Sequence, residues 1–195
     1  MPFTQPLSEP FAGIADRLAQ HAPHEATDSG ALWAAVALVL VPGPVSLLLI
    51  RRAEREGDPW SGQVGLPGGR RSAADADLLR TAMRETREEV GLALDSARPL
   101  GRLDDIAPMT PTLPPIAVRP FVFALDRRLP LTPNGEVASA HWIELGRLFA
   151  PDAMRETEVA IRGTRRVVPA YLVDDLVVWG MTHRILGLLS RTLAE

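Results

Sequence analysis

Residues 31–50 read "ALWAAVALVLVPGPVSLLLI", an apolar run that at first sight could cross a membrane. The Pro-Gly-Pro at 42–44 excludes this, because it divides the run into two pieces, each shorter than the roughly 20 residues a spanning helix needs. Two short apolar segments separated by turn residues are instead expected to be buried strands joined by a turn. The fold must therefore supply cover for them.

Candidate cover lies at both ends of the chain. Upstream, "SEPFAGIADRLAQHA" reads as a helix with Ser8 as its cap, and "PHEATDSG" as a linker, so residues 1–30 form an N-terminal helix and linker. Downstream, "DDLVVWGMTHRILGLLSRTLAE" places Ile185, Leu188 and Leu189 at helical spacing and reads as a closing amphipathic helix. Between these, "RPLGRLDDIAP", "IAVRPFVFAL" and "ASAHWIEL" read as strands, and "PMTPTLPP" as a surface loop. A chain of 195 residues with 46% hydrophobic content is enough for one substantial core, here expected over residues 31–195. The formal charge of −3 provides no footprint for nucleic acid or an anionic membrane. With no cysteine, there is no disulfide, thiolate metal site or thiol nucleophile. The opening "MPFTQPLSEPF" lacks the basic and apolar regions of a secretory signal, so the expected location is the cytoplasm.

The stretch "GLPGGRRSAADADLLRTAMRETREEVGL", residues 65–92, carries the chemistry. At about 100° per residue, Leu79, Met83, Thr86 and Val90 share one helical stripe, while Glu85, Glu88 and Glu89 occupy much of the opposite side. Like charges at that spacing destabilise a helix unless a cation sits among them. Hard divalent ions such as Mg2+ or Mn2+ take oxygen ligands, and magnesium shares its sites between carboxylates, waters and a substrate phosphate. Gly68 and Gly69 permit a tight backbone turn that would bring a carbonyl to the same ion. Arg84, four residues before Glu88, is placed to hold that carboxylate. The competing reading is a solvated charged face.

The same residues resemble the Nudix box, G-x5-E-x7-R-E-U-x-E-E-x-G-U with U apolar. Arg84, Glu85, Glu88, Glu89, Gly91 and Leu92 match its second half, and Gly69 its first glycine. Asp75 stands where the box has its first glutamate, one residue further from the arginine, and Thr86 replaces an apolar residue. The resemblance implies an α/β fold, the Nudix α/β/α sandwich with a mixed β-sheet, and metal-dependent hydrolysis of a nucleoside diphosphate linked to another group. It also implies that Gly69, Glu85, Glu88 and Glu89 bind Mg2+ or Mn2+ and that Arg84 orients a glutamate. Glu88 or Glu89 would take the proton of the attacking water, with Glu136 of "NGEVASAHW" as a second candidate. Asp75 and Asp77 read as helix-start residues favoured by the macrodipole.

Further likeness points to the coenzyme A pyrophosphatase branch of that family. "GQVGLPGG" is similar to the branch's "GQVxFPGG", its longer spacing before the arginine is reproduced, and "VVWGMTHRIL" resembles its final helix. The branch's upstream signature is altered: "RRAEREGDPWSGQ" is one residue longer from Arg52 to Gly62, its second arginine is displaced to Arg55, and Leu66 replaces phenylalanine. Arg51, Arg52 and Arg70 are the expected substrate-binding residues, with Arg55 and Arg71 further candidates, because guanidinium matches phosphate bidentately. Trp60 suits either a nucleobase or a loop anchor, Trp142 and Trp179 the core, and the lone His141 and His183 no catalytic role. The expected ligand is a CoA-like nucleotide, with no nucleic-acid or membrane partner, and a homodimer as an open assembly. Two alternatives remain: a nucleotide-clearing hydrolase acting on ADP-ribose, dinucleoside polyphosphates or nucleoside triphosphates, and a Nudix ligand-binding module without turnover.

Overall fold

The computed structural model describes residues 9–26, 32–57, 60–107, 116–161 and 163–194. Ser8 and the proline-rich loop around residues 108–115 lie outside the described residues. In chain order the elements are α1 (Glu9–Gln20), β1 (Leu32–Val41), β2 (Ser46–Arg52), β3 (Val64–Gly65), β4 (Gly68–Arg70), α2 (Leu78–Val90), β5 (Arg98–Arg102), β6 (Ile116–Ala124), β7 (Val137–Glu144), α3 (Leu145–Leu148), β8 (Met154–Ile161), β9 (Thr164–Val173), β10 (Leu176–Trp179) and α4 (Gly180–Ala194).

β1 and β2, the two halves of the apolar run, meet antiparallel only beside the turn, at Leu40↔Leu47 and Val41↔Ser46. Beyond that point they diverge and recruit other partners. β1 runs parallel to β6 over its length and pairs antiparallel with β4 at Ala35↔Gly69, which makes the seven-stranded sheet mixed. β2 pairs antiparallel with β7 and, at its end, with β3.

Strand alternation explains why both faces of this sheet are covered. Ala35, Ala37, Val39, Leu48, Ile50 and Phe123 point to one side and pack with Ala82 and Val90 of α2. Leu38, Leu40, Leu47, Leu49 and Val122 point to the other, against Phe11, Ile14 and Leu18 of α1 and Ile185, Leu186 and Leu189 of α4. Each fully buried leucine contributes about 1.5–3 kcal/mol of transfer free energy, and the two-sided burial of β1 and β2 requires helices on both faces. The result is the α/β/α sandwich with a mixed sheet. A second, three-stranded sheet, ordered β10-β9-β8, was not visible as strands in the sequence. Its β8 and the first half of β9 are largely exposed, and β10 falls in the stretch read above as the closing helix, which begins only at Gly180. Among the described residues, no helix is long and apolar enough to cross a membrane.

Candidate active site

α2 is fixed at both ends by local chemistry. Asp77, in extended conformation, accepts a hydrogen bond from the Arg80 N–H at 2.8 Å as the N-cap, and Gly91 closes the helix at φ 69°, a left-handed value that suits glycine. One edge of the buried face is polar. Thr86, where an apolar residue was anticipated, is fully buried and donates its hydroxyl to the Ala82 carbonyl at 2.7 Å, so it needs no other partner.

Glu89 corrects the simple division of α2 into an apolar and an acidic face. It is 3% exposed, because β4 lies directly over it, and it accepts a hydrogen bond from the Gly68 N–H at 2.9 Å. Burial pushes its carboxyl up to about 7; the Gly68 N–H opposes that shift and the neighbouring Glu85 adds to it. Glu85 is half-buried and is likewise raised, chiefly by desolvation. Glu88 is exposed.

Arg84 ties these groups together. Its Nε and Nη2 donate to the two oxygens of Asp75 at 2.9 and 3.0 Å, Nη1 reaches Glu85 at 2.8 Å and Glu88 at 2.9 Å, and Nη2 also donates to the Arg70 carbonyl at 3.1 Å. Asp75 is buried and also accepts from the Ser72 N–H and the Thr81 hydroxyl. Hydrogen bonding to Arg84 is the main reason its carboxyl lies well below the usual range. The same contact raises Arg84. Asp75 is thus an anchor for Arg84 and caps no helix; Asp77 has that role. Sequence reasoning missed this function because it depends on a contact across nine positions that bends around the turn before α2.

The two glycines are held there by space. A Cβ on Gly68, at φ 156°, would lie 2.3 Å from the Ala35 carbonyl oxygen, and one on Gly69 would lie 2.6 Å from the Glu85 carboxyl. Backbone and carboxylate are consequently in direct contact at Gly69. The donor set expected for a divalent ion, Glu85, Glu88, Glu89 and the Gly69 carbonyl, is all oxygen. Two of those carboxylates are desolvated, which disfavours their charged form, and a cation between them would offset that cost. Among the described residues no group of three or more acidic, histidine or cysteine side chains stands close enough to hold a metal ion, so the three glutamates would hold one only together with the Gly69 carbonyl, waters or substrate oxygens.

The arginines separate. On β2, alternation sends Arg52 to the α2 side, where its charge acts on Glu89, and Arg51 to the opposite side, where it donates to the backbone carbonyl and carboxylate of Asp175 at 2.9 Å each. Arg55 bonds Glu136 at 3.1 Å and the Gly135 carbonyl at 3.0 Å. Glu136 is exposed, yet near enough to Glu89 for its charge to act there. Arg71 staples the carbonyl of Ala76 at 3.1 Å, and the Arg70 side chain is exposed. Trp60, Trp142 and Trp179 are all partly buried. His141 bonds Ser139, and His183 packs against Tyr171 with ring centroids 5.0 Å apart.

A sandwich in which the "RETREE" helix lies against a Gly-Gly strand can be compared with known proteins, and residues 31–162 match the NUDIX domain. The chain belongs to the NUDIX domain family of hydrolases. Among its Nudix relatives is the mitochondrial coenzyme A diphosphatase NUDT8 of Homo sapiens, 35% identical over 156 residues, covering 76% of this chain and 65% of that protein. The protein C14C4.10c of Schizosaccharomyces pombe, itself uncharacterised, is 38% identical over 130 residues, covering 64% of this chain. This chain spans only 39% of the length of the S. pombe protein. The Nudix fold is also that of the MutT/nudix family protein from Enterococcus faecalis, with a TM-score of 0.57 at 16% identity, over 98% of this chain and 76% of that one.

Proposed function

We propose that this chain is a metal-dependent Nudix pyrophosphohydrolase whose substrate is coenzyme A or its thioesters, cleaved to 3',5'-ADP and 4'-phosphopantetheine. The observation that carries the reaction is the contact between β4 and the acidic face of α2, where the Gly69 backbone touches Glu85 and the Gly68 N–H binds Glu89. Glu85, Glu88, Glu89 and the Gly69 carbonyl are the groups that would hold Mg2+ or Mn2+. Such an ion neutralises phosphate oxygens, lowers the pKa of a bound water and stabilises the leaving phosphate.

The chain's own residues do the rest. Arg84 fixes the rotamers of Glu85 and Glu88 from a single nitrogen, and Asp75 fixes Arg84. Of the candidate proton acceptors, Glu88 and Glu89 lie on the acidic face itself, while Glu136 approaches from the loop before β7. Arg52, whose charge acts on Glu89, would meet a substrate phosphate on the same side of the sheet as the carboxylates. The choice of coenzyme A rests on the likeness of the "GQVGLPGG" segment to that branch and on the name of the human relative.

The test incubates purified protein with Mg2+ or Mn2+ and a panel of CoA, dephospho-CoA, ADP-ribose, a dinucleoside tetraphosphate and nucleoside triphosphates, with products separated chromatographically. Release of 3',5'-ADP from CoA, abolished by EDTA, is the expected result. Turnover of ADP-ribose or the tetraphosphate with none of CoA would transfer the protein to nucleotide clearance, and binding without any turnover would make it a ligand-binding module.

A further inference from the structure

A groove of about 500 Å³ lies on the far side of the sheet from α2, between Arg51, Glu54 and residues 61–64 on one side and the second sheet on the other. Its character follows from strand alternation. On β10, Leu176 and Val178 enter the core, so Val177 and Trp179 face the other way and line the groove, with Val177 37% exposed. Val159 and Ile161 of β8 add apolar surface opposite. The charged lining is unbalanced: Glu54, Glu158 and Asp175 stand against Arg51 alone, and Arg51 is already held by Asp175. Arg165 on β9 faces Glu158 at 3.1 Å, with both side chains half-exposed or more, so it screens that carboxylate only weakly.

The groove is linked to the acidic helix along the chain. Val64 lines it, and Gly68, whose N–H binds Glu89, is four residues further on, a span of at most about 14 Å. Arg51 lines the groove, while its neighbour Arg52 acts on Glu89.

The geometry points to the groove between Arg51, Glu54 and residues 61–64 on one side and the sheet of β8–β10 on the other as the seat of the uncharged arm of the substrate, the pantetheine chain and a neutral acyl group carried on it. Resting on the coenzyme A reading above, this assignment adds a direction and a specificity. A phosphorylated adenosine in the groove would meet three carboxylates, whereas a chain of amides and methylenes meets valines, an indole and backbone. The same carboxylates disfavour acyl groups that end in a carboxylate.

Butyryl-CoA and succinyl-CoA test this directly, because their acyl chains are equally long and differ in a terminal methyl against a carboxylate. The expected kcat/KM ratio is at least about fivefold in favour of butyryl-CoA, carried by KM. The double variant Glu54→Gln/Glu158→Gln brings the ratio towards one by lowering KM for succinyl-CoA, and Val177→Asp raises KM for butyryl-CoA. Thermal unfolding midpoints close to wild type exclude misfolding as the cause. Turnover of CoA with a ratio near one that neither variant moves overturns the groove assignment and leaves the substrate reading standing. No turnover of CoA or either thioester, with turnover of ADP-ribose, overturns both.

Discussion

Asp75 and Arg84 form a two-pronged ion pair, with Nε and Nη2 of the arginine 2.9 and 3.0 Å from the two carboxylate oxygens, and the remaining Nη1 is thereby aimed at Glu85 and Glu88. The buried anion orients the cation, and the cation orients the acids. Asp75→Asn keeps the size but ends the bidentate pairing. The expected cost in stability is about 2 kcal/mol, below the usual figure for a buried pair because Arg84 is 29% exposed. A parallel fall in kcat with little change in KM is expected if Arg84 positions the acids. Urea unfolding and steady-state kinetics on the same variant decide it, and full activity in a destabilised protein would make the pair purely structural.

Glu89 and Asp75 push the pH dependence of stability in opposite directions. In metal-free protein the folded Glu89 carboxyl lies near 7 against an ordinary 4.5, so the folded state holds the proton more tightly and stability falls as pH rises from about 4.5 to about 7. Asp75, depressed in the folded state, contributes stability that is present above 3.8 and lost on further acidification. Metal-free protein should therefore be most stable in mild acid. Glu89→Gln retains an acceptor for Gly68 and should remove its share of the decline, leaving only what the likewise raised Glu85 contributes, and gaining on the order of 2 kcal/mol at pH 8. Melting curves from pH 4 to 8 that do not separate the two proteins would refute the assignment.

Manganese should reverse that decline in the wild-type protein. An ion that binds only the folded state stabilises by mass action, and below about pH 7 it must displace the Glu89 proton. The rise in Tm with millimolar Mn2+ should thus be larger at pH 8 than at pH 5.5. An equal rise at both, or none, would argue against Glu89 as a ligand.

Glu88→Gln separates function from folding most cleanly, since Glu88 is exposed and its contact with Arg84 is a surface pair of small energetic value. A fall in kcat of at least about a hundredfold with an unchanged Tm is expected if it holds metal or accepts a proton. Near wild-type rates on every active substrate would return it to the solvated surface.

The paired glycines should fail differently. A Cβ at Gly68 strikes backbone, the Ala35 carbonyl at 2.3 Å and Val36 Cα at 2.6 Å, so Gly68→Ala should lower Tm sharply. The atoms nearest a Cβ at Gly69 are the end of the Glu85 side chain, which can swing away. Gly69→Ala should consequently fold and lose activity, as circular dichroism and an activity assay on both variants would show.

The sequence alone determined the elements whose signal is local. The two apolar pieces of 31–50, divided by Pro-Gly-Pro, marked β1 and β2, Asp75 and Asp77 marked the start of α2, and the spacing of Glu85, Glu88 and Glu89 put three carboxylates on one helix. The resemblance to the Nudix box rested on the same residues, and the family match bears it out. Arg51 and Arg52 were grouped together by their sequence; they face opposite sides because β2 runs on to Arg52 and neighbours on a strand point to opposite faces. Only the tertiary structure decided the environments. β4 must lie over α2 before Glu89 is desolvated, and the turn before α2 must fold back before Asp75 meets Arg84. The groove exists because Arg51 and Asp175, 124 positions apart, are brought together by the packing of β10 beside β3. Desolvation and charge pairing depend on distance through space, and for these groups a linear pattern encodes that distance only through the finished fold.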